Sequence, residues 1–392
     1  MKSNVHYSVM QKEAIEGLDI KPEGLYLDLT LGRAGDSLAI LNKLTTGKLI
    51  SVDQDEEAIS YSKEILSSVN KNYEIIQDNF RNIKKDLLER GIKTIDGALY
   101  DLGVSSPQFD EDYRGFSYRN DAPLDMRMNI HSNLSAKEIV NTYSLKELVR
   151  VFKEYGEEKY SYEIAKNILK AREISSIDTT YELVDIIKKS KPHKELEKKG
   201  HPAKQVFQAL RIEVNDEMNA LKESLEDVIN LLDVDGRLVV ITFQSLEDRI
   251  VKKLFKKYSV IEGNRINEMI DPKEIKTPDY VEVNKKVITP SDEELKENHR
   301  SNSAKLRILK RIKWGKNMKD KLFKTNHHAV YYYFRKLSVC FGIFICSSAV
   351  LAIPISIAAT VRANQKKTHE TEKENENKEV KDYTNLEELL KY

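Results

Sequence analysis

Between Gly24 and Asp101, short apolar runs of strand character alternate with amphipathic stretches of helical period, and this alternation constrains the fold more than any other feature. The runs fall at 25–29, 48–53, 73–77 and 95–101, with helical stretches at 37–44 and 56–69 between the first three. A strand that returns parallel to its predecessor needs a crossover, and a helix packed on the sheet supplies one of right-handed sense. The expectation is therefore an α/β chain built on a parallel sheet.

After Asp101 the alternation stops for about a hundred residues. Serine, proline, glycine and charge fill 105–133, helical periodicity runs through 135–189, and a strand run returns at 236–242 behind an amphipathic stretch at 207–232. Two domains in series would fit this pattern, but the first half has too few strands to close a doubly wound sheet. One sheet interrupted by a helical insertion fits better. The expected divisions are 1–104 and 203–312 for the two parts of the sheet domain and 105–202 for the insertion, followed by a basic linker at 313–336.

Residues 337–361 carry no charge and are mostly apolar, which suits a transmembrane helix of the roughly 20 residues a bilayer requires. Tyr331-Tyr332-Tyr333-Phe334 and Arg335-Lys336 precede the run as an aromatic belt and basic anchor would. The tail at 362–392 is charged and poor in aliphatic residues and is expected to be disordered. The N-terminus shows no apolar export signal, so the expected arrangement is a cytoplasmic catalytic part tethered to the cell membrane by one C-terminal span.

Lys and Arg number 64 against 63 Asp and Glu, so net charge neither announces nor excludes a nucleic-acid partner. Both cysteines, Cys340 and Cys346, fall inside the apolar run, which excludes a disulfide framework and a thiolate metal site. The histidines form no H-x-x-x-H pair, and no metal is expected.

The first strand run ends in Asp28-Leu29-Thr30-Leu31-Gly32-Arg33-Ala34-Gly35-Asp36-Ser37, a small-residue turn that lets backbone amides approach a ligand. Such turns also arise for local geometry alone. The second run ends in Asp53, where a carboxylate can accept from ribose hydroxyls. Neither the dinucleotide Gly-x-Gly-x-x-Gly nor the Lys-Ser/Thr of a P-loop is present, so a cofactor with a ribose and no phosphate fits best. Asp78-Asn79-Phe80 and Asp101-Leu102-Gly103-Val104-Ser105-Ser106-Pro107-Gln108 follow the third and fourth runs, at the sheet edge where ligands bind. A lone Phe80 is more often a core ring, but this position suits packing on an adenine.

These blocks, with His6-Tyr7-Ser8-Val9-Met10, Arg114-Gly115-Phe116-Ser117, Pro123-Leu124-Asp125-Met126-Arg127-Met128, Phe207-Gln208-Ala209-Leu210-Arg211-Ile212-Glu213-Val214-Asn215, Ser245-Leu246-Glu247-Asp248-Arg249 and Ser303-Ala304-Lys305-Leu306-Arg307, resemble the 16S rRNA cytosine-N4-methyltransferase family known as MraW or RsmH. The resemblance covers roughly residues 1 to 312. It implies a Rossmann-like S-adenosylmethionine-dependent methyltransferase sheet with an inserted helical domain for RNA, acting on a cytidine N4-amine in the decoding region of 16S rRNA. It carries cofactor contacts onto Ala34, Gly35, Asp36, Asp53, Phe80, Asp101 and Gln108. The chain departs from the family at Asp36 and at Gln244, where histidine is usual.

An exocyclic amine is a poor nucleophile until acceptors hold it, and Asp101 is the candidate catalytic acceptor, with Ser105 and Ser106 as accessory partners. The alternative is that Asp101 binds cofactor only and the serines cap a turn. Arg114, Arg119, Arg127, Lys204 and Arg211 are candidate phosphate contacts, and Tyr113, Phe116 and Tyr118 candidate stacking rings, for a base splayed from its helix. The partners expected on this reading are 16S rRNA in the small ribosomal subunit, the membrane, and a second copy of the chain in a homodimer. Two other readings compete with it. One is a paralogue acting on another nucleic acid, and the other a membrane-tethered binding or cell-division protein on a vestigial methyltransferase scaffold.

Overall fold

A computed structural model describes residues 8–69, 72–103, 112–261 and 277–313. The alternating half gives α1 (Gln11–Leu18), β1 (Leu25–Asp28), α2 (Gly35–Leu41), β2 (Lys48–Asp53), α3 (Glu56–Ser67), β3 (Tyr73–Gln77), α4 (Ile83–Glu89) and β4 (Ile95–Asp101). After the helical segment come β5 (Leu232–Thr242), α12 (Ser245–Ser259), β6 (Tyr280–Glu282), α13 (Asp292–Glu297) and β7 (Lys305–Arg311).

The seven strands lie in the order β3-β2-β1-β4-β5-β7-β6. β1 to β5 pair in parallel, and β7 runs antiparallel between β5 and β6. The sheet is thus mixed, and the fold is a Rossmann-like α/β fold. Helices cover both faces, so its central strands are apolar at successive residues rather than alternately. Leu27, Ile50, Val52, Ala98, Tyr100, Leu238 and Val240 pack into one layer. Their strand neighbours Tyr26, Leu49, Leu99, Val239 and Ile241 pack into the opposite one. A one-residue slip would exchange the two sets, which fixes the register.

Between β4 and β5 the chain builds a helical layer. α5 (Ala136–Thr142), α6 (Leu145–Glu154) and α8 (Thr180–Ser190) each open on a capping box, formed by Ser135 with Glu138, Ser144 with Glu147 and Thr179 with Glu182. Each box satisfies two backbone donors that a helix start otherwise leaves orphaned. α7 (Ser161–Arg172) and the short α9 (His193–Leu196) complete this part. Its core is separate, built on residues such as Ile139, Leu148, Phe152, Ile164 and Ile187.

α10 (Lys204–Asn215) buries Val206, Phe207, Leu210 and Val214 in that same helical core. The helical layer therefore runs past the boundary expected at 202. The chain then turns at Asp216, which has φ 46° in the left-handed region, and α11 (Glu217–Leu231) packs Leu221, Leu225 and Val228 on the sheet.

Ser105, Ser106, Gln108, the expected transmembrane helix at 337–361 and the tail at 362–392 lie outside the described residues. Among the described residues no helix is long and apolar enough to cross a membrane.

Candidate active site

At the carboxyl ends of β1, β2 and β4 lies a cavity of about 720 Å³, with the sheet edge on one side and the helical layer on the other. The turn after β1 forms its floor. Asp28 is buried at the strand end, where its Oδ2 accepts from Ser37 Oγ at 2.6 Å and its Oδ1 from the Thr30 amide at 3.1 Å. Gly32 (φ +48°) and Ala34 (φ +62°) both take left-handed backbone. At Gly35 an added Cβ would lie 2.3 Å from Ser8 Oγ, so the chain there closes against the segment before α1. Only small residues allow such an approach.

Asp53 ties this turn to β2. Its Oδ2 accepts from the Gly32 amide at 2.9 Å and its Oδ1 from the Asp55 amide at 2.9 Å. Burial nevertheless dominates and pushes its carboxyl up to about 6. Asp36 is more deeply enclosed; burial, then the neighbouring Asp28, raise it to about 7 against hydrogen bonds from Ser8 and Gln11. At the end of β4 the Asp101 amide donates to Thr30 Oγ1 at 2.7 Å, which fixes the residue to the same turn. Its carboxyl is held well above the usual range by burial and by Asp36, Asp28, Glu247 and Glu294. The buried Asp36 Oδ1 and Asp101 Oδ1 find no hydrogen-bond partner among the described residues. Phe80 borders the cavity and meets Tyr100 edge-on at 5.7 Å.

Carboxylates crowded in a low-dielectric site, with two oxygens unpartnered, call for a cation. The sulfonium and ammonium of S-adenosylmethionine supply two positive charges, and its ribose offers donors to Asp53. The residues present fit that group.

A family model described as the MraW methylase family matches residues 3–312. The chain belongs to that family. The ribosomal RNA small subunit methyltransferase H of Spiroplasma kunkelii is 55% identical over 309 residues, covering 79% of this chain and 99% of that protein. Among solved structures, an rRNA methylase from Streptococcus thermophilus is 13% identical, with a TM-score of 0.34 over 77% of this chain and 94% of that one. A Streptococcus mutans protein in complex with SAH is 11% identical, with a TM-score of 0.35 over 77% of this chain and 97% of that one. The family assignment rests on the first two findings.

In this MraW-family methyltransferase, one cavity brings together Gly35, Asp36, Asp53, Phe80 and Asp101, with Ala34 buried in the turn beneath. Gln108 lies outside the described residues.

The RNA candidates divide. Arg114 is buried and spends its guanidinium on Asp55 (3.1 Å), Glu57 (3.2 Å) and the carbonyls of Arg127 (3.0 Å) and Met128 (3.2 Å). Arg127 grips Asp125 with two nitrogens, at 2.9 and 2.7 Å, and the Ser132 carbonyl at 2.7 Å. Arg211 pairs with both oxygens of Glu217, at 2.7 and 2.8 Å. Guanidinium groups engaged in this way tie segments of the protein together, a use of these side chains that the sequence does not announce. Phe116 is likewise buried, although it borders the cavity. Exposed Lys204 and Arg119 stand at the cavity wall, and neither side chain has a partner among the described residues.

Sequence reasoning gave Glu247 no role. It is buried in the cavity wall and accepts from the Phe243 amide (2.8 Å), the Gln244 amide (3.2 Å) and Gln244 Nε2 (2.7 Å). The Gln-x-x-Glu spacing at the start of α12 was the signal available for it. Among the described residues no cluster of His, Cys, Asp and Glu could hold a metal ion.

Proposed function

We propose that this enzyme transfers the methyl group of S-adenosylmethionine to the N4-amine of a cytidine in the decoding region of 16S rRNA, with Asp101 as the acceptor that positions the amine. The observation that carries the reading is Asp101 itself, anchored to Thr30 and presenting an unpartnered, enclosed Oδ1 beside the acidic cofactor wall. Family membership and 55% identity to a small-subunit rRNA methyltransferase support the substrate class.

When bound, S-adenosylmethionine supplies an electrophilic methyl group on a thioether leaving group. Asp53 would accept from its ribose hydroxyls, and Asp36 would face its positive charge. Phe80 would lie against the adenine. At Asp101 an N4 hydrogen is accepted, which holds the amine with its lone pair turned out of conjugation. The Asp101 carboxylate would then take up the proton that N4 sheds.

RNA would enter past the exposed Arg119 and Lys204. Nearby, Tyr118 stacks on His201 with ring centroids 4.3 Å apart. Burial, then Lys188, Arg119 and Lys191, hold His201 below its usual range.

Nucleoside mass spectrometry of small-subunit rRNA tests the proposal. Deleting the gene should remove N4-methylcytidine, and only the enzyme with Asp101 intact should restore it. An unchanged nucleoside profile on deletion would overturn it.

The membrane tether and the homodimer are separate parts of the proposal. The tether is supported by the uncharged run at 337–361 behind Arg335 and Lys336. Protease added to spheroplasts should trim an epitope at Tyr392 and spare one at Met1. Sedimentation of the purified enzyme decides the homodimer, which a monomer at all concentrations would refute.

A further inference from the structure

The acidic wall of the cavity accounts for a cofactor, but the opposite wall, on the helical layer, still needs a role. One polar group on that wall is Gln208 on α10, which borders the cavity. Gln208 Nε2 donates to the Tyr155 carbonyl at 3.0 Å. This bond settles the orientation of the amide, because a flipped amide would set one carbonyl oxygen against another. Oε1 is left at the other end, and it has no partner among the described residues.

The bond depends on close packing between α10 and the end of α6. Gly156 follows Tyr155, and a Cβ there would lie 2.6 Å from the Gln205 carbonyl and 3.2 Å from Ala209 Cβ. Glycine therefore lets the Tyr155 carbonyl reach Gln208. Along α10, Arg211 is clamped by Glu217, and Phe207 is buried with Tyr118 edge-on at 5.7 Å. The amide thus sits on a helix whose neighbouring side chains are themselves held in place.

A primary amide offers an acceptor and a donor side by side. Cytosine carries the complement on adjacent atoms, the N4 hydrogens and the N3 lone pair. Uracil carries the inverse, the O4 acceptor and the N3 hydrogen, and would set like against like.

We infer that Gln208 is the specificity-determining residue for the target base: its Oε1 accepts one N4 hydrogen, its remaining Nε2 hydrogen reaches N3, and a base with a keto group at that position is rejected. The inference rests on the proposed methylation of a cytidine amine. It adds a second acceptor, on the wall opposite Asp101, so that both N4 hydrogens are held. Because its charge is neutral, Gln208 leaves the acidic balance of the cofactor wall unchanged.

Two variants of the full-length enzyme test it on small ribosomal subunits purified from a strain lacking the gene. Gln208→Leu keeps the reach and removes both polar atoms; kcat/KM for subunits should fall about ten- to a hundredfold. Calorimetric affinity for S-adenosylmethionine should stay within about twofold. Gln208→Glu matches the amide only when protonated, since a carboxylic acid presents an acceptor beside an O–H donor and a carboxylate presents acceptors alone. The ratio of Gln208→Glu to wild-type activity should therefore rise as pH falls from 8 to 6, while the ratio for Gln208→Leu stays flat. A Gln208→Leu enzyme as active as wild type, or a Gln208→Glu ratio independent of pH, overturns the assignment. If wild type itself fails to methylate the subunits, the underlying reading fails instead.

Discussion

Arg114 and Asp55 form an ion pair at 3.1 Å in which the side chains are only 4% and 5% exposed. Asp55 is also the N-cap of α3, where it accepts from the Glu57 amide, and Arg114 opens the segment leading into the helical layer. The pair therefore joins a cap on the sheet domain to the start of the insertion. Removing one partner leaves a buried charge uncompensated, and Arg114→Ala should cost about 3–5 kcal/mol. Thermal unfolding checks this. A variant with unchanged stability and a raised KM for RNA would return Arg114 to the phosphate contacts.

On the proposed reading Asp53 combines two tasks, since besides facing the ribose it holds the Gly32 amide of the turn after β1 and the Asp55 amide after β2. Asp53→Ala should weaken S-adenosylmethionine binding by roughly 1–3 kcal/mol, the range for a lost buried polar partner. Asp53→Asn keeps one acceptor oxygen and should lose less. Calorimetry on both variants gives the order, and equal affinities for wild type and Asp53→Ala would remove Asp53 from the site.

The sheet was legible because its strands carry apolar residues at successive positions and end in Asp28, Asp53 and Asp101, a pattern that burial on both faces imposes. The cofactor side of the site follows from it, since strand ends on one sheet converge. The roles of the arginines were not legible. Arg114, Arg127 and Arg211 sit in blocks that look like RNA-binding motifs, and whether a guanidinium meets a phosphate or a carboxylate depends on partners such as Asp55 and Glu217, which only the fold brings close. Gln208 was hidden for the same reason, because its orientation is set by the Tyr155 carbonyl at the C-cap of another helix.

Asp36 links pH to stability and binding. Its carboxyl is raised from 3.8 to about 7, so the folded protein takes up a proton that the unfolded chain would release. Its contribution to stability is fully present below the unfolded value and is lost as pH rises through about 7. Without cofactor, the enzyme should lose stability from this group between about pH 4 and pH 7, and Asp36→Asn should flatten that part of the profile. A cationic cofactor favours the ionised carboxyl, so its affinity should rise over the upper part of the same range and binding should release protons. Calorimetry in buffers of different ionisation enthalpy measures the release; none at pH 6.5 would show that Asp36 does not face the cofactor's charge.

The last prediction concerns where RNA touches the protein. Lys204 and Arg119 are exposed at the cavity wall, whereas the neighbouring Arg211 is tied to Glu217. A phosphate contact releases condensed counterions, so each such residue contributes to the salt dependence of binding, about 0.7 per contact in log–log slope for a single strand. Charge reversal at both positions should raise the KM for small subunits at least tenfold at low salt and lessen the salt dependence by one to two in slope, by the same counterion argument. Cofactor affinity should not move, since both residues stand on the helical-layer side of the cavity and the proposed cofactor contacts stand at the strand ends. Steady-state kinetics over a range of potassium chloride concentrations, paired with calorimetry for S-adenosylmethionine, separates the two effects. A loss of cofactor affinity with an unchanged salt slope would place these side chains over the cofactor and move the RNA path to another face of the helical layer.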